Sequence, residues 1–134
     1  MATLEDAARV ALGLPEVTEG TRFGNRTWFV GKKGFAWERP FSKADIKRFG
    51  ETTPPDGPIF AVMVADLAER EAILAAERPG FFTIEHFAGF PAVLIQLKKV
   101  GKADLREAIT DAWLTCAPAE LVSKNRRRLR LPAE

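Results

Sequence analysis

The sequence contains one cysteine, Cys116, one histidine, His86, and no tyrosine. A lone cysteine rules out an intramolecular disulfide. Secreted domains of this size usually depend on such staples, so the count points to a reducing, cytoplasmic setting. The same scarcity removes the zinc patterns built on Cys-x-x-Cys or His-Glu-x-x-His, and leaves only carboxylates for a metal. Neither a metal nor a cofactor is expected. Long apolar runs are missing too. The longest, Ile59 to Ala65, has the length of a strand and is too short to span a bilayer. Glu5 and Asp6 near the start do not fit the basic-then-apolar order of a signal peptide. No membrane partner is expected.

The rest is ordinary in amount and uneven in arrangement. With 134 residues, 46% hydrophobic and 28% charged, the chain reads as one globular domain over 1–134. Ten Phe and three Trp supply core volume or contact surface. The net charge of +2 hides a segregation. Arg22 to Gly50 holds eight basic and two acidic residues, Glu51 to Leu97 two basic and seven acidic, and the tail at 124–134 five basic and one acidic. Two cationic stretches thus flank an anionic middle, and whether they share a face depends on the fold.

Periodicity assigns the elements. Thr3 with Asp6 forms a capping-box pattern ahead of a helix to Leu12, with Leu4, Ala8, Ala11 and Leu12 on its apolar stripe. Arg26–Val30 and Gly34–Glu38 have strand composition around a Gly31-Lys32-Lys33-Gly34 turn, so a hairpin is expected. Ser42 caps a short helix to Phe49 that turns Ile46 and Phe49 inward. The proline-rich stretch from Thr52 to Pro58 reads as a surface loop, followed by a strand to Val64. A helix from about Asp66 to Arg78, with Leu67, Leu74 and Ala75 inward, stops at Pro79-Gly80. Phe81–Ile84 and Ala92–Leu97 are strands separated by a turn at Glu85–Gly89. Lys102 to Cys116 is the clearest helix, its apolar residues Leu105, Ile109, Ala112, Trp113 and Cys116 recurring at helical spacing. Adjacent strands without a crossover predict antiparallel pairing, hence an α+β fold with an antiparallel sheet packed against helices.

No catalytic constellation is visible. Cys116 lies on an apolar stripe, where a buried, inert thiol is the plain reading, and no third residue orients His86 as its base. Gly31-Lys32-Lys33-Gly34 lacks the Lys-Ser/Thr pair and following helix of a P-loop. Recognition features are present instead. Basic residues around the hairpin bracket Trp28, Phe29, Phe35 and Trp37, a mixture that serves phosphates and bases. The same aromatics also suit a core face, and lysines at a turn are commonly just solvated. Arg26, Lys32, Lys33, Lys43 and Lys47, with Arg126, Arg127 and Arg128 of the tail, are the candidate nucleic-acid contacts. A second grouping, Phe82, His86, Phe87 and Phe90, is the candidate surface for a protein or small-ligand partner. Oligomeric state is not encoded in any pattern here.

A run of short segments resembles the YjbR/MmcQ family of small bacterial proteins. They are Ala11-Leu12-Gly13-Leu14-Pro15-Glu16-Val17, Phe23-Gly24, Trp28-Phe29-Val30, Gly31-Lys32-Lys33-Gly34-Phe35-Ala36-Trp37, Arg39-Pro40, Phe82 to Leu94, Ala112-Trp113 and Ala117-Pro118. The resemblance covers nearly the whole chain in order. It implies an antiparallel sheet with helices, similar to the double-wing domain of a phage transcription factor, and a DNA-binding role. Where family members often read Thr-Pro-His-Phe/Tyr, this chain has Ile84-Glu85-His86-Phe87, and the acidic Glu85 disfavours phosphate at that loop. The resemblance supplies no catalytic residues.

Overall fold

The strand segments assemble into one six-stranded, wholly antiparallel sheet, in a computed structural model that describes residues 1–130. The chain runs α1 (Leu4–Leu12), β1 (Val17–Arg22), β2 (Asn25–Val30), β3 (Lys33–Glu38), α2 (Lys43–Phe49), β4 (Ile59–Met63), α3 (Leu67–Ala75), β5 (Phe81–Phe82), a 3-10 turn (Glu85–Phe87), β6 (Ala92–Gln96), α4 (Lys102–Cys116) and α5 (Ala119–Lys124). Spatial order is β1-β2-β3-β4-β6-β5. The fold is therefore α+β with an antiparallel sheet against helices. No helix among the described residues is long and apolar enough to cross a membrane.

Alternation along the strands separates two cores. Trp28, Val30, Phe60, Val62, Val93 and Ile95 face α1 and α4, whose Ala7, Ala8, Ala11, Leu105, Ile109, Ala112 and Trp113 complete the larger cluster. Trp113 is wholly buried and donates its indole N–H to the Pro15 carbonyl at 3.0 Å, locking α4 to the link after α1. The opposite face carries a smaller cluster of Ile59, Ala61, Ala92, Leu94 and Phe87, with Trp37, Phe41, Met63, Phe82 and Ile84 packed on it. β4 and β6 are consequently apolar on both sides, which explains their unbroken hydrophobic runs. β1 and β2 have no such cover on the second face. A bulge adjusts this boundary: Trp28 pairs with Ala36 and Phe29 with Gly34, leaving Phe35 unpaired, so Phe35 and Ala36 both enter the helix-side core.

Several helix faces differ from the periodic reading. Leu12, Ile46 and Leu67 are exposed, at 47%, 47% and 41%, and Ala75 is exposed as well. In α1 the inner stripe runs through Ala7, Ala8 and Ala11, because close packing against α4 favours small side chains. In α2 the buried residue is Asp45, and in α3 it is Arg70. Both are polar, so hydrophobic periodicity could not find them. α3 ends at Ala75, and β5 is two residues long. The segment from Val17 to Arg22, to which periodicity assigns no element, is a strand, and a further helix, α5, follows Pro118. Of the basic tail at 124–134, residues 131–134 lie outside the described residues.

Asp45 holds α2 in place. Its carboxylate accepts from the Ser42 backbone N–H and from Arg39 Nη1, both at 2.9 Å, while the Ser42 hydroxyl accepts from the Asp45 N–H. Burial pushes the Asp45 carboxyl up. The Ser42 amide and the Arg39 guanidinium outweigh this and hold it below its ordinary 3.8. A carboxyl whose folded pKa is depressed stabilises the fold above its unfolded pKa, and the contribution disappears as pH falls through the folded value. Asp45→Asn is expected to cost about 2–3 kcal/mol in urea unfolding at neutral pH, since it removes charge-assisted hydrogen bonds at a buried position. The gap between variant and wild type narrows as pH drops below about 4. A second prediction concerns Gly80, with φ of +93°. A Cβ there would lie 2.9 Å from the Gln96 carbonyl oxygen and 2.9 Å from the Val100 nitrogen. Gly80→Ala is expected to lose about 2–3 kcal/mol, because the strained φ and a backbone contact add.

Candidate functional site

The uncovered half of the second sheet face forms a groove of about 1070 Å³. Its floor is Asn25, Thr27, Gly34 and Trp37; one wall is the β1–β2 hairpin, and the other carries His86, Phe87 and Phe90. Arg22, Lys32, Lys33, Arg39 and Arg48 line it with His86, and among the described residues no Asp or Glu does. Pairing between β3 and β4 stops at Ala36 and Val62, and Lys33, Met63 and Cys116 also line the groove.

Each cation is positioned differently. Arg22 lies across the open face, its guanidinium 5.2 Å from the Phe29 ring centroid and above Gly34, where a Cβ would meet Arg22 Nη1 at 3.2 Å. Glycine at that position therefore lets the guanidinium lie against the sheet. Lys32 sits in the two-residue loop between Val30 and Lys33, which are paired. Among the described residues, Arg22, Lys32 and Lys33 have no carboxylate partner. Arg39 and Arg48 share Asp45, at 2.9 Å and 3.7 Å, so their charge is partly spent inside the fold.

The aromatic wall is rigid. Phe87 is buried and lies 5.6 Å from Phe90 and 6.4 Å from Trp37, with the Arg39 guanidinium 5.6 Å from its centroid. Arg70, only 8% exposed, reaches under this wall from α3 and donates from Nη1 to the carbonyls of Phe87 at 2.6 Å and Phe90 at 3.1 Å. Among the described residues its Nε has no partner. An internal guanidinium thus fixes the loop that presents Phe90, which is 40% exposed.

The hairpin lip is stranger. Arg22 pairs with Asn25, so Phe23 and Gly24 alone make the turn, both with positive φ, 54° and 79°. Such primed turns match strand twist but favour Asn, Asp or Gly at both positions. Phe23 occupies the first and is 94% exposed. Left-handed backbone in a bulky residue costs on the order of 1–3 kcal/mol, with no apolar burial to offset it.

The structure joins part of each predicted grouping. Lys32 and Lys33 line the same groove as His86, Phe87 and Phe90, while Phe82 packs within the smaller core. Lys43 and Lys47 are exposed on α2 and do not line it. Arg26 sits on the helix side, over Trp28 and bound by Glu19 at 3.0 and 3.1 Å and by Glu5 at 2.7 Å. That network also takes the Trp28 indole N–H and ties the hairpin to α1. Arg126, Arg127 and Arg128 follow α5. Arg128 donates to the Gly13 carbonyl, and neighbouring Leu129 packs on the helix-side core. The tail and the hairpin cations therefore do not line one groove. Burial pushes the Cys116 thiol above its ordinary 9.0, against a small pull from Lys33, and no hydrogen bond joins it to His86. Among the described residues no three His, Cys, Asp or Glu side chains converge as metal ligands.

Phe23, Phe41 and Arg48 were not singled out from sequence as contacts. For Phe23 the available signal was the Phe-Gly pair between two polar segments of strand length, which a hairpin reading of Val17–Val30 would have exposed. Arg48 and Phe41 reach the groove through the orientation of α2, which no local pattern encodes.

Comparison with known proteins places the geometry in a lineage. An uncharacterized protein of Mycobacterium tuberculosis is 44% identical over 125 residues, covering 91% of this chain and 94% of the relative. An uncharacterized protein of Mycobacterium bovis matches to the same extent. No solved structure matches the chain. The YjbR family model matches residues 12–115, a span that holds the whole sheet, both walls of the groove and nearly all of α4. The chain belongs to the YjbR family.

Proposed function

We propose that this protein binds nucleic acid, and that the groove on the open sheet face is the binding surface. The observation that carries the reading is the lining itself: among the described residues, five Lys or Arg side chains and a histidine beside exposed aromatic rings, with no carboxylate among them. Phosphates require cations that are not already neutralised, and Arg22, Lys32 and Lys33 meet that condition. Arg39 and Arg48 add a weaker field behind them because Asp45 takes part of their charge.

Contacts of this type position a polymer without reading its sequence, so the reading predicts strong salt dependence and little base preference. It also ranks the candidate residues. Lys32 and Lys33 belong to the surface. Arg26 serves the hairpin's attachment to α1, where removing it would leave Glu5 and Glu19 without their guanidinium partner. The tail residues Arg126, Arg127 and Arg128 contribute a more distant, non-specific attraction.

Fluorescence anisotropy at low salt, with labelled single-stranded and duplex DNA and RNA, tests this. Lys32→Glu with Lys33→Glu is expected to weaken binding at least tenfold and to reduce the magnitude of the log–log salt slope by about 1–2. Reversing charge at Arg126–Arg128 is expected to change affinity less than the hairpin pair does. Absence of binding to every probe at low salt, or a larger effect from the tail than from the hairpin, would overturn the assignment of the groove.

A further inference from the structure

We infer that the groove takes an unpaired strand rather than a duplex, with Phe23 and Phe90 stacking on bases while Arg22 and Lys32 hold phosphates. The inference rests on the nucleic-acid reading above and specifies its substrate. Its source is the lip of the groove. Phe23 is an aromatic residue in a left-handed turn position, 94% exposed, on a hairpin whose other turn residue is the expected glycine. Folding does not use this ring: it has no place in either core. Local conformation does not favour it, since Asn would suit the same φ better. A strained, fully displayed aromatic points to contact with something outside the chain.

The neighbours of Phe23 say what that contact is. Arg22 is next to it and free of any carboxylate among the described residues, and Lys32 lines the same groove from the loop at the far end of β2, about 20 Å of strand away. The facing wall offers Phe90, whose loop Arg70 clamps in place. Rings on both walls with cations between them match a ligand that alternates flat apolar faces with negative charge. A duplex hides its base faces and would present sugar and phosphate to Phe23. An unpaired strand exposes both kinds of surface, and stacking accepts any base. A single free nucleotide shares this chemistry. The groove, at about 1070 Å³, just exceeds the range of roughly 300–1,000 Å³ for small-molecule sites, and its cations are spread from the end of β1 through the β2–β3 hairpin to α2. Several phosphates in succession use that spread better than one nucleotide does.

The test compares an oligonucleotide of about 12 residues, within the site sizes typical of strand-binding folds, with a duplex of equal length. Adenosine monophosphate serves as a competitor. The strand is expected to bind at least about tenfold tighter than the duplex and to resist displacement by the mononucleotide at comparable concentration. Phe23→Asn keeps the turn conformation and is expected to lower strand affinity about tenfold and duplex affinity by a much smaller factor; Phe23→Trp is expected to retain strand binding. Intrinsic circular dichroism and unfolding midpoints of both variants check that the hairpin persists. Equal or tighter duplex binding, an unaltered strand affinity in Phe23→Asn, or displacement by the mononucleotide at equal concentration overturns this inference and leaves the groove as a nucleic-acid site. Failure of strand and duplex alike overturns the reading on which it rests.

Discussion

Two strands of this sheet are buried on both faces, and much of the molecule follows from that. Phe60, Val62, Val93 and Ile95 require helices on one side, while Ile59, Ala61, Ala92 and Leu94 require cover on the other. α4 and α1 supply the first cover. A loop and a short helix supply the second, and they extend only as far as Trp37 and Phe41. The edge of that cover is one wall of the groove. An unfilled space beside the smaller core thus arises from an apolar requirement that stops midway across the sheet.

Charge is sorted by the same division. On the helix side, Arg26 is enclosed by Glu5, Glu19 and the Trp28 ring, and its role is to hold β1 and β2 against α1. On the open side, Asp45 is withdrawn into capping and anchoring, facing inward to Ser42, Arg39 and Arg48, whereas Glu85 stays exposed in the 3-10 turn beside His86. Net charge, at +2, conveys nothing of this.

Sequence patterns gave a good account of elements with one strong period. α4 shows its five inner residues at the expected spacing, and the hairpin from β2 to β3 follows its glycine turn. They failed where the inward residue is polar, as with Asp45 and Arg70, because hydrophobic periodicity has no means of recognising a buried charge with partners distant in sequence. β1 was hidden for a related reason: Val17-Thr18-Glu19-Gly20-Thr21-Arg22 belongs to an edge strand whose composition is close to that of a loop. With β1 missing, its turn was missing, and with the turn went Phe23. The two separate groupings of candidate residues, cationic and aromatic, could be merged only by the antiparallel order that brings the hairpin face beside the 3-10 turn.

The short seam between β3 and β4 has a mechanical meaning. Six residue pairs join β1 to β2, yet only three join β3 to β4, and α4 packs across that seam on the helix side alone. On the opposite side the bridging contacts are between rings, Trp37 tilted against Phe87 and edge-on to Phe90. The β1–β3 portion is therefore braced along its back and lightly held at its front. Both hydrophobic cores cross this seam, through Trp28 and Phe60 on one side and Trp37 and Phe87 on the other, so the span between the Phe23 tip and Phe90 is held by packing rather than by strand pairing.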